Sequence, residues 1–418
     1  MLIGYVMEAG IPDIWAGNLS GPASHVRHTV LELARLGHTL RLIARRGEDL
    51  VATDDLDRFR PAAMSCSPRP GLPERCVRRV QSELRLPYFS LFNSRRFANA
   101  CIRELDGFDV IYERMGWMGL GASRAARLLG IPHVMEVNGD LLTELSMTGQ
   151  APNLLQRVVS ERLMRHVALS AAHAVATGEG WRRQHVKQWG VQPSRVTVVQ
   201  NGTELVRLLS RADLQVFNSN RRHGPLEVVW VGSFDPWQGL PILARAVAQC
   251  VSRGRDLRVT LVGSGPEETA MRSLMAELGL MHRVRFTGLL SVDDLARCLA
   301  RSHVGVALYT GRAEYTGMKL LDYKAAGLAS LVTGEGGEPS LIRHGVTGII
   351  VPPNDVAAVV HGFETLLDHE DLRCSMGQQA RVEAELRHGW EHTAQALVGV
   401  LHRVVTQAQV YVRDPKAG

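Results

Sequence analysis

The sequence predicts an α/β protein of two doubly wound parallel sheets with a helical tail, on three observations. Short apolar runs alternate with amphipathic stretches, the pattern of parallel strands covered by helices. The alternation runs twice, broken from 204 to 225 by a stretch of Arg, Asn, Ser and Gly. The chain has 418 residues, too many for one ordinary α/β core and suited to two domains of roughly 200 each.

Residues 2–7 form the first strand, a Gly/Pro-rich loop covers 10–22, and a helix runs from about 23 to 36. Gly37 ends that helix in the manner of a left-handed cap, and 39–44 is the second strand. Strand 109–112, helix 117–129 and strand 132–137 follow, and strands 174–177 and 196–199 close a first domain of residues 1–205. After a linker at 206–225, the second domain (226–385) has strands at 226–231, 258–262, 284–287, 304–308 and 329–332. Helices at 239–252, 267–278, 292–301, 317–326 and 338–343 lie between and after them. Ser291, three residues before Asp294, is a helix N-cap signal. The stretch 355–405 is helical, and 386–418 forms the tail. There is no internal repeat or low-complexity segment.

Composition narrows the class. A hydrophobic fraction of 45% and a charged fraction of 22% belong to a globular protein. No apolar run approaches the ~20 residues needed to span a bilayer, and the N-terminal apolar run has no basic leader before it. Six cysteines without a CxxC pair read as reduced core thiols of a cytoplasmic protein. The net charge of +6 lies entirely in the first half: residues 1–210 hold 26 Lys and Arg against 20 Asp and Glu, residues 211–418 hold 22 against 22. Such a bias suits an anionic membrane surface or an acidic acceptor. A solvated arginine-rich surface is the plainer explanation, since only four of the cations are lysine.

Ligands of open α/β sheets bind beyond the carboxyl ends of strands, at loops and helix starts. The most informative such place is Tyr309 to Gly327, where a strand enters a loop carrying Glu314, Gly317 lets backbone approach, and a helix begins with Lys319 and Asp322. Free N–H groups of Met318, Lys319 and Leu320 would face a shared anion, to which Lys319 adds a full charge. Asp322 can accept two hydroxyl hydrogen bonds, as a ribose diol offers, and Glu314 would sit on the other side of the anion. The plain alternative makes Lys319 and Asp322 an i, i+3 surface pair worth ~0.2–0.5 kcal/mol. Gly263-Ser-Gly265 by itself is a tight turn, because Glu268 stands where a dinucleotide fingerprint needs its third glycine.

Glu314 to Asp322 resembles the Glu-x7-Glu motif of the retaining GT-B-fold glycosyltransferases of family 4, with Asp322 for the second glutamate. Further pieces agree in order. Gly21-Pro-Ala-Ser-His25 resembles the family's glycine loop, and Asn201-Gly202 its "PNGVD" stretch. Leu261-Val-Gly263-Ser-Gly265-Pro266 resembles "LVGxGP", and Val284-Arg-Phe-Thr-Gly288 resembles "VxFxG". Residues 332–353 resemble its Gly-Gly loop and "DGVTGLLVPP" hairpin, and Trp390 opens a tail like the one that crosses back to the first domain. The resemblance implies two Rossmann-like domains facing across a cleft. It implies transfer of a hexose or amino-hexose from a UDP- or GDP-linked donor to a hydroxyl of a small polyhydroxylated, natural-product or lipid-linked acceptor.

By the same resemblance, Glu314, Asn138 and Lys319 are catalytic. Gly21, Ser233, Gln238, Gly263, Gly288, Gly317, Met318, Leu320 and Asp322 bind the donor, and His25, Glu136 and Asp140 lie on the acceptor side. Attack on the front face, with the leaving phosphate taking the acceptor's proton, needs neither metal nor cofactor. Nucleic acid is not an expected partner; peripheral membrane contact is compatible. One departure matters. The family's Arg and Lys in "GRLxxxKG" are replaced by Ser233 and Gln238, so the diphosphate charge falls to Lys319 and Arg312. That loss also admits a degenerate member that binds nucleotide sugars as a partner protein. Another stretch, Met135 to Asp140, resembles an "EVNxPL" variant, with Asn138 reaching the sugar.

Overall fold

The computed structural model describes residues 1–15, 21–47, 49–63, 72–84, 91–116, 119–139, 152–211, 224–310, 317–334 and 339–413. Its contacts divide the chain into two units, one of residues 1–14, 22–200 and 393–418, the other of 15–21 and 201–392.

The first unit carries an eight-stranded sheet in the order β4-β3-β2-β1-β5-β6-β7-β8. Its strands are β1 (Leu2–Gly10), β2 (Thr39–Arg46), β3 (Asp49–Thr53), β4 (Arg60–Pro61), β5 (Val110–Arg114), β6 (His133–Val137), β7 (His173–Ala176) and β8 (Val196–Val198). From β2 through β8 neighbours are parallel; β3 and β4 add an antiparallel edge that the sequence pattern did not announce. The helices are α1 (Gly21–Arg35), α2 (Leu72–Glu83), α3 (Leu91–Glu104), α4 (Gly121–Leu129), α5 (Leu154–Ser170) and α6 (Glu179–Trp189).

The second unit begins with α7 (Leu205–Leu208), a helical turn inside the expected linker. Its sheet is wholly parallel, in the order β11-β10-β9-β12-β13-β14. These strands are β9 (Leu226–Val231), β10 (Leu257–Val262), β11 (Val284–Gly288), β12 (Val304–Ala307), β13 (Ala329–Thr333) and β14 (Gly348–Val351). The helices are α8 (Leu240–Ser252), α9 (Glu268–Glu277), α10 (Val292–Ala300), α11 (Met318–Ala325), α12 (Val356–Asp368) and α13 (Glu370–Arg387); α14 (Trp390–Arg413) follows. Alternate residues of β9 feed opposite faces. Val228 and Trp230 join the core under α8 and α12, whereas Val229 joins the core under α10 and α11. A strand covered on both faces is apolar where it is covered, which is why β9 reads as an apolar run from Val228 to Val231, with the half-buried Glu227 before it.

Two expectations need correction. The helix placed at 338–343 is, over its described part, a turn in which Ile342 N–H donates to Pro339 O at 3.1 Å. The buried Thr347 hydroxyl accepts from Arg343 N–H at 2.9 Å, giving this backbone a partner that competes with helix. The Gly-rich hairpin is not one either, since β14 lies parallel to β13.

One buried group should make the first unit sensitive to acid. His185 is 2% exposed in the core beside Trp181 and Trp189, its ring nitrogens have no hydrogen-bond partner among the described residues, and burial lowers its pKa to about 4. A base whose folded pKa lies below its unfolded value contributes stability above the unfolded pKa and loses it as pH falls. Between pH ~6.5 and ~4 this group should cost on the order of 3 kcal/mol. Thermal melts of His185→Phe across that window should show a shallower acid limb than the parent; an unchanged limb would mean the loss arises elsewhere.

Candidate active site

The second unit brings together an ammonium and a carboxylate one turn apart on α11. Gly317 caps this helix in the left-handed conformation. Lys319, in the first turn, is buried, and its Nζ donates to Gln238 Oε1 at 2.7 Å. The same Nζ stands 4.5 Å from the Trp230 ring centre and 5.1 Å from that of Tyr309. Aromatic faces attract a cation without neutralising it. Burial lowers the ammonium's pKa to about 7, with Asp235 pulling the other way.

Gln238 reaches Lys319 because the turn Pro236–Gln238 is pinned to the end of β12. Thr310 N–H donates to Trp237 O at 2.9 Å, and Gly239 packs so tightly that a Cβ would lie 1.4 Å from Leu308 O. Only glycine fits there. Gln238 is thus held where the Lys319 ammonium reaches it from α11.

Asp322 keeps part of its surface open and accepts the Thr203 hydroxyl at 2.6 Å. Burial raises its carboxyl to about 7, against that hydrogen bond. Nearby, Gly263 N–H donates to Gly288 O at 2.8 Å, and a Cβ on Gly263 would meet Gly232 O at 1.8 Å. Gly263 and Gly288 thus draw the ends of β9, β10 and β11 together, and the Gly263 N–H is spent within the sheet ends. Ser233 is exposed beside them. Leu320 is a correction: its N–H donates to Gly317 O at 2.8 Å and its side chain is fully buried, so it offers nothing to an anion. Among the three N–H groups expected to face an anion, Met318 and Lys319 are left.

In the first unit Glu136, at the carboxyl end of β6, has no exposed surface. His25 Nε2 and Arg114 Nη1 each lie 2.9 Å from its Oε1, Tyr112 and Asn138 donate to it at close range, and the Tyr5 hydroxyl is 3.5 Å away. Burial works to raise its pKa, but His25, Arg114 and Tyr112 outweigh burial and bring it to about 2. Its carboxylate is thus a hub that orients His25, Arg114 and Asn138, and its own oxygens face inward. Asn138 is half-buried, with its amide nitrogen turned to Glu136. Gly21 is exposed at the start of α1. Glu314, Arg312 and Asp140 lie outside the described residues.

Sequence reading missed Thr203, Tyr5, Tyr112 and Arg114. The alternation in β5 held a signal: Tyr112 and Arg114 project to the same face two residues apart. A second buried carboxylate, Glu8, takes hydrogen bonds from Ser94 and from Gly121 N–H (2.8 Å for the latter), and burial lifts it to about 7 against them. Among the described residues no group of three or more His, Cys, Asp or Glu could hold a metal ion, and no helix is long and apolar enough to cross a membrane.

Family models, relatives and solved structures resemble this chain over most of its length. The model for glycosyl transferases group 1 matches residues 211–383, and that for Glycosyltransferase Family 4 matches 19–207. A Corynebacterium efficiens protein named D-inositol 3-phosphate glycosyltransferase is 31% identical over 53% of this chain and 54% of its own length. The chain thus spans about half of that relative. A Pseudarthrobacter chlorophenolicus protein of the same name is 25% identical over 71% of both. Among solved structures, sucrose-phosphate synthase from Thermosynechococcus elongatus superposes with a TM-score of 0.72 at 19% identity, covering 97% of this chain and 99% of that one. Anabaena HepE in complex with UDP gives 0.69 at 17%, covering 96% and 100%.

The two Rossmann-like units are of GT-B fold, and the family models and relatives make the chain a glycosyltransferase. Between them the two family models account for most of the sequence, and the chain belongs to family 4, the glycosyl transferases group 1.

Proposed function

We propose that this enzyme transfers a hexose or amino-hexose, with retention, from a UDP- or GDP-sugar to a hydroxyl of a polyhydroxylated acceptor. The observation that carries the reading is the Lys319 ammonium, buried against Gln238 at the start of the helix whose next turn bears Asp322. An anion with a diol attached is what such a pair recognises. In this reading the diphosphate rests on the N–H groups of Met318 and Lys319 and on the ammonium, the ribose hydroxyls donate to Asp322, and Glu314 holds sugar hydroxyls. The bond from the anomeric carbon to the phosphate oxygen breaks while one to the acceptor oxygen forms on the same face. The acceptor's proton passes to the departing phosphate. Positive charge at the leaving diphosphate supplies the main stabilisation, without a metal. A phosphorylated polyol is the favoured acceptor class, supported by the relatives named for D-inositol 3-phosphate and by the arginine excess of residues 1–210.

A thermal-shift panel of UDP, GDP, CDP and ADP tests the donor. The matching nucleotide at 100 times its Kd should stabilise the fold by ~2.7 kcal/mol. With UDP- and GDP-linked hexoses, nucleotide release should accompany transfer and be lost in Glu314→Ala. Binding without turnover across all donors and inositol phosphates would favour a partner protein instead.

A further inference from the structure

We infer that Thr203 is a positioning residue for the donor's ribose: it commits one carboxylate oxygen of Asp322 and leaves the other to meet the sugar. The inference rests on the ribose reading of Asp322 given above. Thr203 Oγ1 lies 2.6 Å from Asp322 Oδ1 and 3.1 Å from the backbone nitrogen of Leu205. The Leu205 N–H can only donate, so the hydroxyl accepts from it and directs its single proton to Asp322. With Asp322 ionised, this hydrogen bond runs from the hydroxyl to the carboxylate.

The hydroxyl has little freedom to swing away. Thr203 is buried, its N–H donates to His388 O at 2.8 Å, and it forms a parallel bridge with Gly389. Beside it, Gly202 lies so close to Trp390 that an added Cβ would be 2.6 Å from the Trp390 Cα. His388 in turn sits 3.2 Å from Nζ of Lys324, two residues beyond Asp322 on α11. The grip on Asp322 thus comes from a segment clamped where α13 gives way to α14. A carboxylate held in one rotamer spares the ligand the entropy of ordering it, and a hydroxyl donating to it favours the ionised form that accepts sugar hydroxyls best.

Calorimetric titration with UDP and with GDP, on the full chain, tests this. T203V should weaken binding of whichever nucleotide the parent binds by about tenfold. T203S, which keeps the hydroxyl, should stay within about twofold of the parent. In a D322A background T203V should cost nothing more, because its partner is gone; a merely structural role would weaken both backgrounds alike. T203A replaces T203V if the latter fails to fold, as judged by its melt. If D322A leaves nucleotide affinity unchanged, the ribose reading itself fails. If D322A weakens binding while T203V does not, or T203V weakens it equally in both backgrounds, the role of Thr203 is overturned and the ribose reading stands.

Discussion

Replacing Lys319 by methionine is expected to weaken binding of the donor nucleotide by about 100-fold, the scale of losing a buried charge-assisted contact to a phosphate. Methionine keeps the apolar stem that packs by Trp230 and Tyr309, so the fold should survive. Because Gln238 Oε1 is only 2.7 Å from the Lys319 nitrogen, a lysine at 238 can bring its ammonium to nearly the same point. The double variant Lys319→Met with Gln238→Lys should therefore recover about tenfold of the loss, whereas Gln238→Lys alone crowds two like charges and should bind worse than the parent. Equal affinities for the single and double variants would refute the relocated-charge account. The pH dependence has a definite sign. The free ammonium loses its proton near pH 7, and a bound diphosphate raises that pKa, so affinity should fall as pH rises above about 7. Titration in buffers of different ionisation enthalpy should reveal proton uptake on binding.

Glu136→Ala should lower the stability of the first unit by about 3–5 kcal/mol, because it strips the partner from a largely buried Arg114. For a unit of this size that is a fall in Tm of roughly 10 °C. Calorimetry should show it, while UDP or GDP affinity below the transition should be unchanged, since Lys319 and Asp322 belong to the other unit. Glu136→Gln should cost less, as its amide oxygen still accepts from Tyr112 or Arg114. A shift of under about 2 °C for the alanine variant would mean that water replaces the carboxylate.

Much of the second unit was legible because its strands are buried on both faces and its helices begin with recognisable signals. Ser291 accepting from Asp294 N–H at 3.2 Å is one, and the span of β9 is another. The short antiparallel β3 and β4 were not legible, since β3 offers only Leu50 to Ala52 as an apolar run and β4 is two exposed residues, too short to carry a pattern. The turn after Pro339 was misread as helix because the Thr347 hydroxyl that satisfies Arg343 lies beyond the stretch that looked helical.

Sequence by itself determined the two-sheet α/β class, because alternating apolar runs and helix starts are local patterns; it pointed to Lys319 and Asp322 through a helix start that the family resemblance then singled out. Only the tertiary structure decided that Gln238, 81 residues away, touches the Lys319 nitrogen, that Thr203, 119 residues away, holds Asp322, and that Glu136 gathers His25 and Arg114. The ionisation of these groups follows from burial and from neighbours that meet only after folding, and no pattern along the chain records those distances.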